Sequence, residues 1–192
     1  MREATDLSRV DPALQPLVIR IVHACAMPEV VQDLEWSPGI EAHAWAALND
    51  GAPLLADCEM VVQGVIKSRL PAANPVLCTL NDERVPTLAK QINNTRSAAA
   101  LEYWREHLAR AVVVFGNAPT ALFRLLEIIA QTGTQPRAIL GFPVGFVGAA
   151  ESKQALADFA VSAGIPFITL HGRVGGSAIA AAAVNGLASC HS

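Results

Sequence analysis

Five short apolar runs, at 53–56, 76–80, 111–115, 138–141 and 166–170, recur through the chain with segments of helical period between them. Runs apolar at nearly every position, not at alternate ones, suit strands buried on both faces. The helical pattern falls near 7–26, 40–49, 58–66, 83–91, 97–110, 119–131, 150–162 and 176–188. Strand and helix in alternation predict an α/β fold: a doubly wound, mostly parallel sheet with helices on both faces. In open sheets of this kind ligands collect beyond the carboxyl ends of the strands, so chemistry is to be sought in the loops that follow them.

At 192 residues the chain is expected to form one domain, 1–192, with no linker, repeat or low-complexity tract to divide it. Hydrophobic residues make up 52% and charged residues 16%, yet no apolar stretch approaches the ~18 residues of a membrane-crossing helix. So little polar side chain leaves apolar surface to hide against another subunit, and a homodimer is the simplest expectation. Net charge is −3 and the 14 Lys and Arg are scattered singly, so there is no basic stripe for nucleic acid. Cys25, Cys58, Cys78 and Cys190 have neither C-x-x-C nor zinc-ligand spacing; they read as reduced thiols of a cytoplasmic protein without a metal site. The opening Met1-Arg2-Glu3-Ala4-Thr5-Asp6-Leu7 is polar and carries no secretory h-region.

In Leu17-Val18-Ile19-Arg20-Ile21-Val22-His23-Ala24-Cys25 everything but Arg20 and His23 is apolar or small, and at helical pitch those two are neighbours. Imidazole both gives and takes a proton near neutrality. This stripe therefore either faces a reacting anionic ligand or is the solvent side of a half-buried helix. His171, ending the last strand, is the second acid/base candidate; His107 belongs to a solvated face, His191 to the tail, and His43 has only Glu41 in register.

Gly116-Asn117-Ala118-Pro119-Thr120 follows a strand, with Asn117 as a natural N-cap and Pro119 in the first turn, a start that attracts a carboxylate or phosphate. In Asn94-Thr95-Arg96-Ser97 a cation enters the first turn of a helix against the dipole, and so calls for an anion, either a ligand or Glu102. Lys67 and Arg69 follow a helix, where the dipole welcomes cations and no ligand is required. The glycine-rich stretches 141–153 and 171–177 contain neither G-x-G-x-x-G nor G-x-x-x-x-G-K-[ST]. Their glycines would let backbone approach a large flat ligand or let two subunits pack closely. Without a G-x-S-x-G elbow, and with Asp57 and Glu59 pointing apart, a hydrolase is disfavoured.

Several runs together resemble the precorrin isomerase (precorrin-8X methylmutase) family of cobalamin biosynthesis. They are Val22-His23-Ala24-Cys25, Gly51-Ala52-Pro53, Glu59-Met60-Val61, Arg69-Leu70-Pro71, Asn94-Thr95-Arg96-Ser97-Ala98-Ala99-Ala100, Gly116-Asn117-Ala118-Pro119-Thr120-Ala121-Leu122-Phe123, Pro143-Val144-Gly145-Phe146-Val147-Gly148-Ala149-Ala150-Glu151-Ser152-Lys153, Gly172-Arg173 and Gly175-Gly176-Ser177. The resemblance implies migration of a methyl group from C-11 to C-12 of precorrin-8X, or of cobalt-precorrin-8, the metal-free reaction giving hydrogenobyrinic acid. It implies no cofactor and places the single acid/base histidine at His23. A polycarboxylate substrate would be held by Arg96 and Arg69 above all, with Arg20, Lys67, Asn94, Thr95, Asn117 and Thr120. In three respects the chain departs from the family pattern. The family's N-terminal segment with a substrate-holding serine precedes the part resembling Arg2 to Leu7, so either the start is trimmed or that contact is lost; His171 stands where arginine usually precedes Gly-Arg; and Gln63 replaces a histidine of some relatives. The rival functions are a non-catalytic corrinoid carrier with the same pocket and, from fold alone, a nucleotide-binding α/β enzyme.

Overall fold

In the computed structural model, which describes residues 5–189, six strands form one sheet. They are β1 (Leu34–Trp36), β2 (Leu54–Ala56), β3 (Val76–Leu77), β4 (Val112–Phe115), β5 (Ala138–Gly141) and β6 (Phe167–Leu170), in the spatial order β1-β6-β5-β4-β2-β3. All neighbours pair in parallel except β1, which runs antiparallel along β6 with Leu34 opposite Leu170. The chain leaves β2 outward to β3, then returns to lay β4 on the other side of β2. The strand order therefore reverses between β2 and β4. That reversal opens a crevice at the carboxyl ends of the two strands.

Among the described residues the α-helices are α1 (Gln15–Cys25), α2 (Ile40–Asn49), α3 (Glu59–Gly64), α4 (Val85–Gln91), α5 (Arg96–Ala100), α6 (Pro119–Thr132), α7 (Ala149–Ala163) and α8 (Ser177–Leu187). Pleating divides the strand side chains between two cores. Val112, Val114, Leu140 and Ile168 pack with α1, α2, α3 and α8 on one face. Val113, Phe115, Ile139 and Phe167 pack with α6 and α7 on the other. The strands β4, β5 and β6 are buried at every position, which is why they read as unbroken apolar runs.

Three elements depart from the expected pattern, the first being the helix expected near 7–26, which begins only at Gln15 after a run of turns. Strand β1 is too short to show as a run; it exists because its backbone pairs with β6, Ser37 and Phe167 exchange hydrogen bonds just beyond it, and Arg9 donates to the Leu34 carbonyl. The helix expected at 97–110 stops at Ala100. There the Thr79 hydroxyl donates to the Ala100 carbonyl (2.8 Å) and accepts from the Trp104 indole (3.0 Å), occupying the acceptor a continuing helix would use. Tight 3-10 turns at Leu101–Trp104 and Leu108–Arg110 carry the chain on to β4.

Helix α1 is placed by two contacts. Gly186, in the last turn of α8, lies so close to Leu17 in the first turns of α1 that an added Cβ would stand 2.6 Å from the Leu17 Cα. Broad contact along both helices from that crossing requires them to run antiparallel, which sets the end of α1 beside the start of α8. The chain after α1 agrees: it passes through a 3-10 turn at Pro28–Asp33 directly to Leu34, opposite Leu170, and the His171 N–H donates to the Asp33 carbonyl. The last turn of α1 thus stands at the carboxyl edge of the sheet.

Gly186→Ala should push α1 from α8 and cost about 1–3 kcal/mol of stability, measured by denaturant unfolding. An unchanged midpoint would contradict the close packing described.

Candidate active site

At the switch point the carboxylate of Asp57, immediately after β2, is only 3% exposed and meets three backbone N–H groups across the crevice. Gly116 donates to Oδ1 (2.8 Å); Asn117 (2.9 Å) and Ala118 (2.7 Å) donate to Oδ2. Burial pushes this carboxyl above its ordinary pKa, and the three N–H groups pull against burial. All three backbone partners donate, which is the arrangement an ionised carboxylate fits. The amide cradle expected to attract an anion is filled from within.

Asn117 consequently is not the N-cap of α6. Ala118 takes that place without a side-chain cap, and the Asn117 carboxamide stands exposed with no partner among the described residues. Gly116 is needed for the approach of neighbouring helices: an added Cβ would meet Val61 Cγ2 at 2.6 Å and Ser177 Cα at 2.8 Å. The starts of α3 and α8 therefore converge on this loop, and Cys58 Sγ lies 3.4 Å from Ser177 Oγ. Burial, and then the Asp57 charge, push the Cys58 thiol up, while burial pushes Cys78 up to about 12. Neither thiol is a nucleophile near neutrality.

Helix α5 joins the site through Thr95, whose hydroxyl caps the Ala98 N–H (3.1 Å) and lies 2.9 Å from the Thr120 hydroxyl at the start of α6. The Asn94 side chain accepts from the Thr95 N–H, at 2.8 Å. Arg96 is exposed, with only a long 3.5 Å contact to the Leu80 carbonyl. Glu102 does not compensate it, being engaged by Arg105 and Arg124 at 2.7 Å each. Asn94, Thr95 and Arg96 instead line a concavity of about 580 Å³ with Lys90. A similar concavity of about 610 Å³ holds Asp82 and Arg84, but there the cation is spent on its own carboxylate at 2.7 Å and on the Tyr103 ring.

His23 is exposed on the last turn of α1, and Arg20 is half-buried one turn earlier; neither has a hydrogen-bond or ion-pair partner among the described residues. His171, by contrast, is held by Glu35 of β1 with Nε2 2.5 Å from Oε2. That leaves His23 as the unengaged imidazole among the strand-end candidates. Lys67 and Arg69 lie elsewhere. Helix α3 descends alongside α8, with the Ile66 N–H on Asn185 Oδ1 at 2.8 Å. These two cations therefore flank the last turn of α8, about 12 Å along its axis from the strand ends. His43 and His107 are exposed on other surfaces, and Cys190 and His191 lie outside the described residues.

Two residues of the site were not singled out from sequence. Asp57 had a legible signal, a lone carboxylate directly after an apolar strand. Lys153 carries no signal of its own beyond the Pro143–Lys153 run, yet it is fully buried and donates from Nζ to the Val174 carbonyl at 2.6 Å. Burial lowers its pKa to about 8.

Fold and candidate site define a doubly wound α/β protein whose strand-end loops gather polar side chains, with the His23 imidazole and the Arg20 guanidinium unpartnered among the described residues. A family model described as precorrin-8X methylmutase matches residues 1–190. The chain is 57% identical over 188 residues to the precorrin-8X methylmutase of Pseudomonas aeruginosa, covering 98% of this chain and 89% of the relative. It is 39% identical over 182 residues to the cobalt-precorrin-8 methylmutase of Methanothermobacter thermautotrophicus, covering 95% and 83%. A solved precorrin-8x methyl mutase from Thermus thermophilus superposes with a TM-score of 0.83 at 37% identity, over 93% of this chain and 85% of that one. The chain belongs to the precorrin-8X methylmutase family, a family of isomerases in cobalamin biosynthesis.

Asp57→Asn replaces one acceptor oxygen by an amide that confronts an N–H donor. The expected cost is about 2–4 kcal/mol, the worth of a charged hydrogen bond and of the donor left unpaired, read from unfolding midpoints. A midpoint equal to that of the wild type would refute the bridging role.

Proposed function

We propose that the chain, as one domain spanning 1–192, moves the C-11 methyl group of precorrin-8X to C-12, yielding hydrogenobyrinic acid. The observation that carries the reading is the unengaged imidazole of His23 at the carboxyl edge, in a chain whose family acts on this substrate class. Substrate and product are isomers, so the step needs no net proton, electron or leaving group. His23 protonates the macrocycle to select the reactive tautomer, the methyl group shifts, and the proton returns to the imidazole. The remaining task is to hold a flat polycarboxylate still. Arg96, with Asn94, Thr95, Asn117 and Thr120, grips acidic arms near the crevice; Arg20 serves beside His23, and Lys67 and Arg69 meet arms that extend past α3. The reaction so written is redox-neutral and draws on no cofactor.

Higher identity to the relative named for precorrin-8X than to the one named for cobalt-precorrin-8 supports the metal-free substrate. A homodimer is supported by Val161, an apolar side chain that is 69% exposed on α7. Free thiols at Cys25, Cys58 and Cys78 support a cytoplasmic setting. The carrier reading is not favoured, because the relatives found are named as methylmutases.

Single-turnover absorbance tests the assignment. The wild type should convert bound precorrin-8X to the product chromophore, while His23→Ala binds the product and leaves the substrate spectrum unchanged. Conversion by His23→Ala at the wild-type rate removes His23 from catalysis; a wild type that binds without converting selects the carrier. Arg96→Ala should weaken substrate affinity about tenfold, the worth of one charged hydrogen bond.

A further inference from the structure

Lys153 sits early in α7, where the helix dipole opposes a cation, and its side chain is wholly buried. A buried ammonium is costly unless paired, yet no carboxylate among the described residues faces it; its one protein partner is the Val174 carbonyl. Val174 belongs to the β6–α8 loop, which lies against the β5–α7 loop largely through backbone. Gly176 N–H donates to the Phe142 carbonyl at 2.8 Å, Gly145 N–H to the Arg173 carbonyl at 3.4 Å, and a Cβ at Gly175 would stand 2.4 Å from the Pro143 carbonyl oxygen. The two loops form one shelf at the carboxyl edge that presents Val144, Phe146, Val147 and Val174, with the Arg173 guanidinium 5.8 Å from the Phe146 ring centre. The β6–α8 loop also leads directly into the start of α8, against which the last turn of α1 packs.

We infer that Lys153 is a positioning residue: its ammonium clamps the Gly172–Ser177 loop, fixing the apolar shelf on which the flat face of the macrocycle rests and its height relative to His23. The inference rests on the methylmutase reading given above. A backbone carbonyl fixed by a buried cation holds a loop to one arrangement, which glycines at 172, 175 and 176 would otherwise leave free. Retaining such a charge gives the fold nothing that an apolar side chain of like size would not give, so its use lies in the position it enforces.

The test compares the wild type, Lys153→Met and Gly175→Ala. Methionine fills the same space without the clamp, so its melting temperature should stay close to that of the wild type. With the carboxylate-holding cations intact, KM for precorrin-8X should change little while kcat falls about tenfold or more, the scale of a small misplacement. Amides of 172–177 should exchange faster with solvent. Gly175→Ala, which wedges the shelf from its other side, should lower kcat in the same way. Wild-type kcat in either folded variant, or unchanged exchange at 172–177 in Lys153→Met, overturns the inference; if the Met variant does not fold, Gly175→Ala decides. A wild type that binds precorrin-8X without converting it overturns the methylmutase reading instead, and the exchange measurement still decides whether Lys153 holds the loop.

Discussion

The bridge from Asp57 to the amides of Gly116, Asn117 and Ala118 is the interaction on which the rest of the site depends. It ties the ends of β2 and β4 across the point where the sheet changes direction, and it fixes the entry to α6. Thr120 and Asn117 are aimed by that entry, and Thr95 at the start of α5 is aimed by Thr120. In many doubly wound folds a crevice of this kind receives the phosphate of a nucleotide. Here the negative charge is supplied by the protein. A ligand phosphate would meet a carboxylate already in place, so the fold-level nucleotide reading loses its physical basis, and acidic arms of a substrate must seek cations farther out.

Much of the architecture could be read from periodicity because the buried strands are apolar at every position and the covering helices are amphipathic. The failures are local and have causes that lie far away in sequence. β1 is specified by Phe167, Leu170 and Arg9 and not by its own composition; the helix beginning at Arg96 ends because a threonine some twenty residues earlier takes the Ala100 carbonyl. The site was legible in part. Asn94, Thr95, Arg96, Asn117 and Thr120 follow from helix starts and strand ends, which local signals set, and His23 shows with Arg20 as a polar stripe on an otherwise apolar helix. Lys67 and Arg69 were grouped with them by resemblance, and only the descent of α3 along α8 reveals their distance from the crevice.

Charge is used sparingly, and its buried and half-buried instances mark junctions. Asp57 joins two strands, Glu102 gathers Arg105 and Arg124 where the turns after α5 meet α6, and Lys153 links two glycine-rich loops. The two histidines near the strand ends differ in the same terms. His171 is committed to Glu35 and secures the sheet edge, whereas His23 has no such commitment. Both ring nitrogens of His23 are thus open to a ligand, whereas one of those of His171 is taken by Glu35.

The close crossing of Leu17 and Gly186 carries one more implication. His23 has no side-chain tether, so its aim is inherited from the thickness of an alanine-rich helix. Any bulk added along α8 works like a shim under a lever, tilting the far end of α1 and displacing the imidazole without touching it. With His23 in its proposed role, substitutions remote from the crevice would impair turnover, and the small residues of α8 would serve reactivity as much as packing.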